Sequence, residues 1–284
     1  MNTIASTAYR EKWYKTTLQE LLRNALVAEK IFEVDRSDSK VIKNPYGSQP
    51  TTVVQALTGT YTPAAYTLTD DSLSVTDEFI VSEHIFGFED ILSNYDLFAN
   101  RMGEMQASVA TSIDKYVLNV VLEAGTGAYT TPAGGFTTAA NINTIIANLQ
   151  SLVSGYATDM SKGMFLVIEN TDLVGFVAAQ MGNGFSYADA ALKNGFYSSY
   201  GGVEIFVVRT GTFADATMGT QTFTNLGHRM FGIKGAATYA APRGIQYEEK
   251  SVSGKTGKEV VVSGLIGAKL WASKAGLVVD IMLA

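Results

Sequence analysis

The sequence predicts an α+β fold, and three stretches carry that expectation. The first is a single helical stripe in which Ile91, Tyr95, Phe98, Met102, Met105, Val109, Ile113, Tyr116, Val117 and Val120 recur at three- and four-residue steps with no proline between them. The second is the tract from Val34 to Ile85, rich in Thr, Tyr, Val, Gly and Pro, which reads as strands with turns at Asn44-Pro45, Gly59 and Pro63. The third is the strand-rich close of the chain, Ile245 to Val252, Glu259 to Ile266 and Ala268 to Met282, whose alternation predicts an antiparallel meander.

Taken in order, the chain opens on an amphipathic helix from Tyr9 to Phe32, with Trp13, Leu18, Leu21, Leu22, Ala25, Leu26, Ala28 and Phe32 on one stripe. Trp13 and Tyr14 are candidates for partner-facing anchors, although aromatic residues on such a stripe more often serve ordinary packing. The β-rich tract that follows is far longer than the roughly four to six residues of an ordinary connection, so it is read as a protruding hairpin or extended loop. An isolated hairpin is marginal in water, which makes another subunit the natural surface for it to lie on.

The long stripe has Asp90 or Ser93 as a cap and stops at Gly125, a helix of about 30 residues and roughly 45 Å at 1.5 Å per residue. A flexible Gly/Thr/Pro stretch then leads into an α/β lobe. This comprises a helix from Asn141 to Tyr156, a strand Met164 to Ile168, a helix capped by Asn170-Thr171-Asp172 and running to about Gln180, strands Val203 to Arg209 and Arg229 to Ile233, and a short helix from Gly235 to Ala241.

Composition narrows the function. There are 284 residues with 46% hydrophobic content, enough for a sizeable core. The absence of cysteine excludes disulfides, thiolate metal sites and cysteine nucleophiles. No apolar run reaches membrane-spanning length and the N-terminus lacks a signal-peptide pattern, so a soluble, unexported protein is expected. The formal charge of -6 argues against nucleic-acid binding over the whole surface. Residues 1 to 48 carry eight Lys or Arg against six Asp or Glu, which reads as a solvated, mixed-charge helix.

No motif resolves into an active site. Ser253-Gly254-Lys255-Thr256 ends like a phosphate-cradling loop, but position 249 is Glu where the first glycine belongs, and Val260, Val261 and Val262 favour a strand where a helix is needed. The segment is read as a hairpin turn with Lys255 and Lys258 at a surface. Gly182-Asn183-Gly184 lacks the third glycine of a dinucleotide fingerprint, since Tyr187 stands there. His84 and His228 have no histidine neighbour at metal-ligand spacing and are read as structural. The acidic pairs Asp70-Asp71, Asp77-Glu78, Glu89-Asp90 and Glu248-Glu249 are read as turn and edge-strand solubility. Catalytic, metal and cofactor residues are therefore expected to be none.

The order of parts resembles the major capsid proteins of tailed bacteriophages with the Hong Kong 97-type fold, over nearly the whole chain. The resemblance is carried by "VTDEFIVSEHIFGFEDILSNYDLFANRMGEMQASVATSIDKYVLNVVLEAG", by "GMFLVIENTDLVGF", and by the closing strands from "GIQYEEKSV" to "AGLVVDIM". It implies an N-terminal arm over 1–40, an extended β-hairpin E-loop over 41–86, a peripheral domain with the long spine helix over 87–134 and 241–284, and an axial α/β domain over 135–240. It implies a coat subunit that assembles as hexamers and pentamers around double-stranded DNA, which it contacts nonspecifically, in the virion after assembly in the host cytoplasm. It implies a separate scaffolding protein or none, and it allows a portal and a decoration protein as further partners. Subunit contacts are expected at Trp13, Tyr14, Pro50, Tyr61, Pro63 and Tyr66. The acidic balance suits a container, because a strongly cationic inner wall would hold DNA too firmly for release. An encapsulin shell, sharing the fold, is the alternative, and an α/β enzyme of unrecognised type is a third.

Overall fold

The computed structural model describes residues 26–37, 39–47, 66–85, 97–154, 162–182, 196–251, 254 and 256–284, with positions 52, 54, 57, 59 and 60 between them. Its central element is helix α2 (Leu97–Ala124, 28 residues), which follows the short helix α1 (Ala28–Ile31) in chain order. The predicted start of α2 at Asp90 or Ser93 lies outside the described residues, as does most of the predicted helix from Tyr9 to Phe32. Of that N-terminal prediction only the last turn is described, and there Ala28–Ile31 is helical.

Helix α2 is buried on two sides because it is sandwiched between sheets. One sheet has four strands, β1 (Glu33–Asp35), β14 (Ala237–Ser251), β15 (Lys258–Leu270) and β6 (Asp77–Ile85), in that order. The β1–β14 pair is parallel and the others are antiparallel. Val260, Val262, Ile266 and Ala268 of β15 share one core with Val109, Ile113, Val117 and Val121 of α2.

The second sheet has six strands in the order β7 (Gly127–Thr130), β16 (Val278–Met282), β13 (His228–Ile233), β8 (Met164–Glu169), β10 (Val203–Val208) and β9 (Phe196–Tyr200). Strand β8 reads as an unbroken apolar run from Met164 to Ile168 because both faces are covered. On β8, Phe165 and Val167 join the core around α2. Their neighbours Leu166 and Ile168 pack with Ile142, Ile145 and Leu149 of helix α3 (Ala139–Ser154) and with Phe176 of α4 (Leu173–Gly182). The period-two alternation of a strand thus feeds two cores at once.

Polar groups inside this packing are tied. Asn119, fully buried on α2, donates to the carbonyls of Lys115 and Thr212 at 2.6 and 2.8 Å and accepts from the Asn225 amide at 2.8 Å. Asp114, one turn earlier, accepts the N–H groups of Val27 and Ala28 at 2.9 and 3.0 Å and so fixes the entry of α1 against α2. Asp114→Ala would leave these two buried donors without that acceptor, and a loss of about 1–3 kcal/mol is expected, measured as a shift in the denaturant midpoint.

Four sequence expectations are corrected. Residues 235–241 do not form a short helix; after a turn at Gly235, β14 begins at Ala237, paired with Leu270 of β15 and flanked by parallel β1. The closing strands do not form one meander, because a 3-10 turn at Ala272–Leu277 breaks the third run and β16 crosses to the six-stranded sheet. The Gly/Thr/Pro stretch contains β7, which pairs in parallel with β16. The cap before α4 is Glu169 instead of Asn170-Thr171-Asp172: its side chain and that of Asp172 cap one another's backbone around the 3-10 turn Asn170–Asp172.

Candidate assembly surfaces

The tract between β1 and β6 forms a hairpin with a built root and an apolar flank. At the root, β2 (Val41–Lys43) pairs with β5 (Ser72–Ser74), and farther out β3 (Tyr46–Gly47) pairs with β4 (Leu68–Thr69), both antiparallel. The Val75 N–H donates to the Lys40 carbonyl at 2.9 Å and the Asn44 N–H to the Asp71 carbonyl at 2.8 Å. Leu73 and Val75 are buried with Ala240 and Trp271 in a small core of their own. Trp271 Nε1–H donates to Thr238 Oγ1 at 2.8 Å, which fixes the indole from the sheet side.

Asp71 locks this root to the C-terminal strands. Its carboxylate is in contact with the Lys269 ammonium and accepts the Ala272 N–H at 2.9 Å, while Lys269 also donates to the Ser72 carbonyl at 2.6 Å. Burial by itself would raise the Asp71 carboxyl, but the Lys269 ammonium and the N–H groups of Ala272 and Ser72 together hold it below the usual carboxylate range. A carboxyl depressed in the folded state contributes stability that is complete above the ordinary value near pH 4 and is lost as pH falls through the depressed one. Acid below about pH 4 is therefore expected to loosen the hairpin root. Hydrogen-exchange protection at Leu73 and Val75 reads this directly, and Asp71→Asn should lower that protection at neutral pH and flatten its acid dependence.

Beyond the root, large apolar side chains among the described residues of the tract stand exposed. Val54 and Leu57 are 94% and 106% exposed, and Tyr66 and Leu68 are 68% and 60% exposed. The Tyr66 ring lies across Gly47, where any β-carbon would collide with it, so the glycine lets the two strands close around the aromatic ring. Apolar side chains presented in series on a protruding element mark an interaction surface. Of the contacts expected from sequence, Tyr66 lies on this flank; Trp13, Tyr14, Pro50, Tyr61 and Pro63 lie outside the described residues. Sequence reasoning missed Val54, Leu57 and Leu68, which sit in the same tract as ordinary β-formers.

The second projecting element is the outer half of the β14–β15 hairpin. Arg243 pairs with Glu248 at 2.6 Å, Lys258 with Glu249 at 2.7 Å and Lys250 with Glu248 at 3.3 Å, along a largely exposed ribbon. Gly254 and Gly257 have positive φ, as the predicted turn requires, and Ser251 pairs with Lys258 across it. The phosphate-loop lookalike is thus a hairpin turn, although Ser253 and Lys255 themselves lie outside the described residues. Bulges after Ala240 and Arg243, with Pro242 between them, interrupt the ladder to β15, a pattern that blunts edges against indiscriminate pairing.

The candidate chemical groups have structural settings. His228 Nδ1 lies 2.8 and 2.9 Å from the two Asp280 oxygens on the neighbouring strand. His84 sits in β6 opposite Glu259. Asp71 and Asp77 are not simple solubilising residues: Asp77 accepts from Tyr116 Oη at 2.7 Å, and burial first, with this carboxylate second, pushes the phenol upward. Among the described residues no group of three or more His, Cys, Asp or Glu could hold a metal ion, and no helix is long and apolar enough to cross a membrane.

Comparison with solved structures gives this architecture a class. The chain is similar to the capsid of the cyanophage P-SCSP1u at 14% identity, covering 92% of this chain and 89% of that one with a TM-score of 0.70. It is similar to the mature capsid of bacteriophage PhiM1 at 10% identity, covering 92% and 87% with a TM-score of 0.68. It is also similar to the virus-like particle from Pyrococcus furiosus at 10% identity, covering 95% and 98% with a TM-score of 0.58. No protein-family model matches the sequence, and no curated protein matches it. The chain has the capsid fold, the Hong Kong 97-type fold that its sequence resembles.

Proposed function

We propose that the chain is the major capsid protein of a tailed bacteriophage, a non-catalytic subunit that assembles as hexamers and pentamers into an icosahedral head around double-stranded DNA. The observation that carries this reading is agreement with phage capsid chains along nearly the full length of both partners. In that reading residues 1–40 are the N-terminal arm, the hairpin tract within 41–86 is the extended loop, and α2 is the spine of a peripheral domain over 87–134 and 241–284. Residues 135–240 are the axial domain.

Physics favours the same assignment. The hairpin has a root that anchors it to its own subunit and an apolar flank that needs a neighbour, so it lies across the adjacent subunit with Tyr66 at the contact. Trp13, Tyr14, Pro50, Tyr61 and Pro63 are assigned to subunit contacts on their sequence pattern. Many modest contacts of this kind, closed into a shell, give robustness without any one tight pair. A separate scaffolding protein, a portal and a decoration protein are the further partners this reading allows, and host cytoplasm is where the head would assemble.

Electron microscopy and sedimentation of the purified protein test the proposal. Capsomers or megadalton particles are expected, and a monodisperse 30.4 kDa monomer across salt and crowding conditions would sink it. The likeness to the virus-like particle from Pyrococcus furiosus supports a second reading, an encapsulin nanocompartment. Particle contents separate the two: packaged DNA for the head, an enclosed protein cargo for the compartment.

A further inference from the structure

We propose that the cleft between α1, the segment entering β8 and the turn from β13 into β14 is a phosphate-binding site whose occupant is the nucleic-acid backbone. This inference rests on reading the chain as the subunit of a DNA-filled shell. The cleft has a volume of about 420 Å³ and is lined by Lys30, Lys162 and Lys234, with Glu33 as the carboxylate in its wall. Lys274 reaches the same place from the 3-10 turn before β16, donating to the Gly235 carbonyl at 3.0 Å. A methyl group placed on Gly235 would lie 3.6 Å from Lys162 Nζ, so the ammonium groups of Lys162 and Lys274 both converge on this one residue. Lys234 is paired with Glu204 at 2.6 Å.

Among the described residues the ammonium groups of Lys30, Lys162, Lys234 and Lys274 gather in or beside this cleft with Glu33 and Glu204, in a chain whose formal charge is -6. The four lysines are distant in sequence, so the excess is created by the fold and is not a basic run. Gathering like charges is unfavourable without an anion to offset it. Lysines on flexible stems act as point charges suited to phosphate, and among the described residues no arginine lines this cleft to grip a carboxylate in two-pronged fashion. Such a site positions a backbone without reading bases. One site of this size meets only one or two phosphates, so each subunit holds DNA weakly and the shell holds it through many copies.

The test is fluorescence anisotropy of a labelled DNA duplex of arbitrary sequence titrated with the full-length protein at stepped salt concentrations. Inorganic phosphate is tested separately as a ligand and as a competitor. Lys162→Gln and Lys274→Gln are compared with Lys258→Gln, which removes the same charge from the β14–β15 hairpin. The wild type is expected to bind with a log–log salt slope of roughly -1 to -2. Each cleft substitution should reduce that slope by about 1 and weaken low-salt binding several-fold, with Lys258→Gln close to wild type. Lys162 is exposed, so its variant keeps the test valid if Lys274→Gln lowers the melting temperature. Unchanged slope and affinity in Lys162→Gln, or equal losses in Lys258→Gln, overturn the proposal. Lysine-dependent binding of inorganic phosphate without binding of duplex overturns it in favour of a free-phosphate site. Micrographs of the same samples keep the two readings apart, since particles that form normally but show no cleft-dependent DNA binding defeat this inference and leave the shell reading standing.

Discussion

Replacing residues 48–67 by an Asn-Gly turn is expected to give a folded subunit that no longer builds particles. The excision joins Gly47 to Leu68, which are already paired across the hairpin, and a two-residue Asn-Gly loop is the connection that suits a closed antiparallel pair. Everything that fixes the root remains: Leu73 and Val75 stay in their core with Trp271, and Asp71 keeps Lys269 and the Ala272 N–H. What leaves includes Val54, Leu57 and Tyr66, three side chains that are largely exposed in the single subunit. Burying each against a neighbour is worth about 1.5–3 kcal/mol, so roughly 5–9 kcal/mol of gross contact per subunit disappears before ordering costs are subtracted. In a closed ring that loss is repeated at every contact, and assembly should fail outright. Light scattering and electron microscopy read assembly, while thermal unfolding of the dissociated subunit reads the fold. Particles in normal yield would show that the hairpin is not an assembly element.

Much of this design was readable in the residues, for identifiable reasons. Helix α2 was visible because its apolar residues keep helical spacing over many turns, and β8 because a strand buried on both faces must be apolar throughout. The hairpin was visible by composition, as a β-rich tract too long for a connection. Elements whose conformation is dictated by remote partners were hidden. The run Gly235-Ala236-Ala237-Thr238-Tyr239-Ala240-Ala241 has the alanines of a helix, yet pairing with β15 on one side and β1 on the other overrides that propensity. Strand β7, four residues in a Gly- and Thr-rich stretch, exists because β16 lies beside it in parallel. The same holds for polar anchors. Asp114 reaches back 86 residues to the Ala28 N–H and Asp71 forward 201 residues to the Ala272 N–H, separations at which no local pattern signals a pair. The exposed hairpin flank was half visible: Tyr66 stands out as an aromatic residue in a β-rich tract, while Val54 and Leu57 have the composition of core β-formers and are nonetheless exposed.

Arg229→Met should produce the largest loss of subunit stability of any single change considered, about 3–5 kcal/mol. Arg229, Glu169 and Asp172 have side chains only 5%, 7% and 3% exposed. The guanidinium bonds the Asp172 carboxylate through Nε, lies 3.2 Å from Glu169 through Nη2, and donates to the His228 carbonyl at 2.6 Å through Nη1. The second Glu169 oxygen accepts the N–H groups of Gly211 and Phe213 at 3.0 and 3.1 Å, and Asp172 accepts the Glu169 N–H at 3.1 Å. One cation thus joins β13 to the end of β8, to the turn that starts α4, and to the loop after β10. Methionine fills comparable volume but leaves two carboxylates in a dry site facing each other. At roughly 2–4 °C per kcal/mol for a chain somewhat smaller than this one, the melting temperature should fall by about 6–20 °C. The measurement belongs on dissociated subunits, because assembly stabilises the folded form by mass action and would mask the loss. Combining Arg229→Met with Glu169→Gln and Asp172→Asn should recover part of it, since the uncompensated charge is then gone. A loss below about 1 kcal/mol for Arg229→Met would mean that the backbone N–H groups alone carry the two carboxylates, and that the guanidinium contributes packing only.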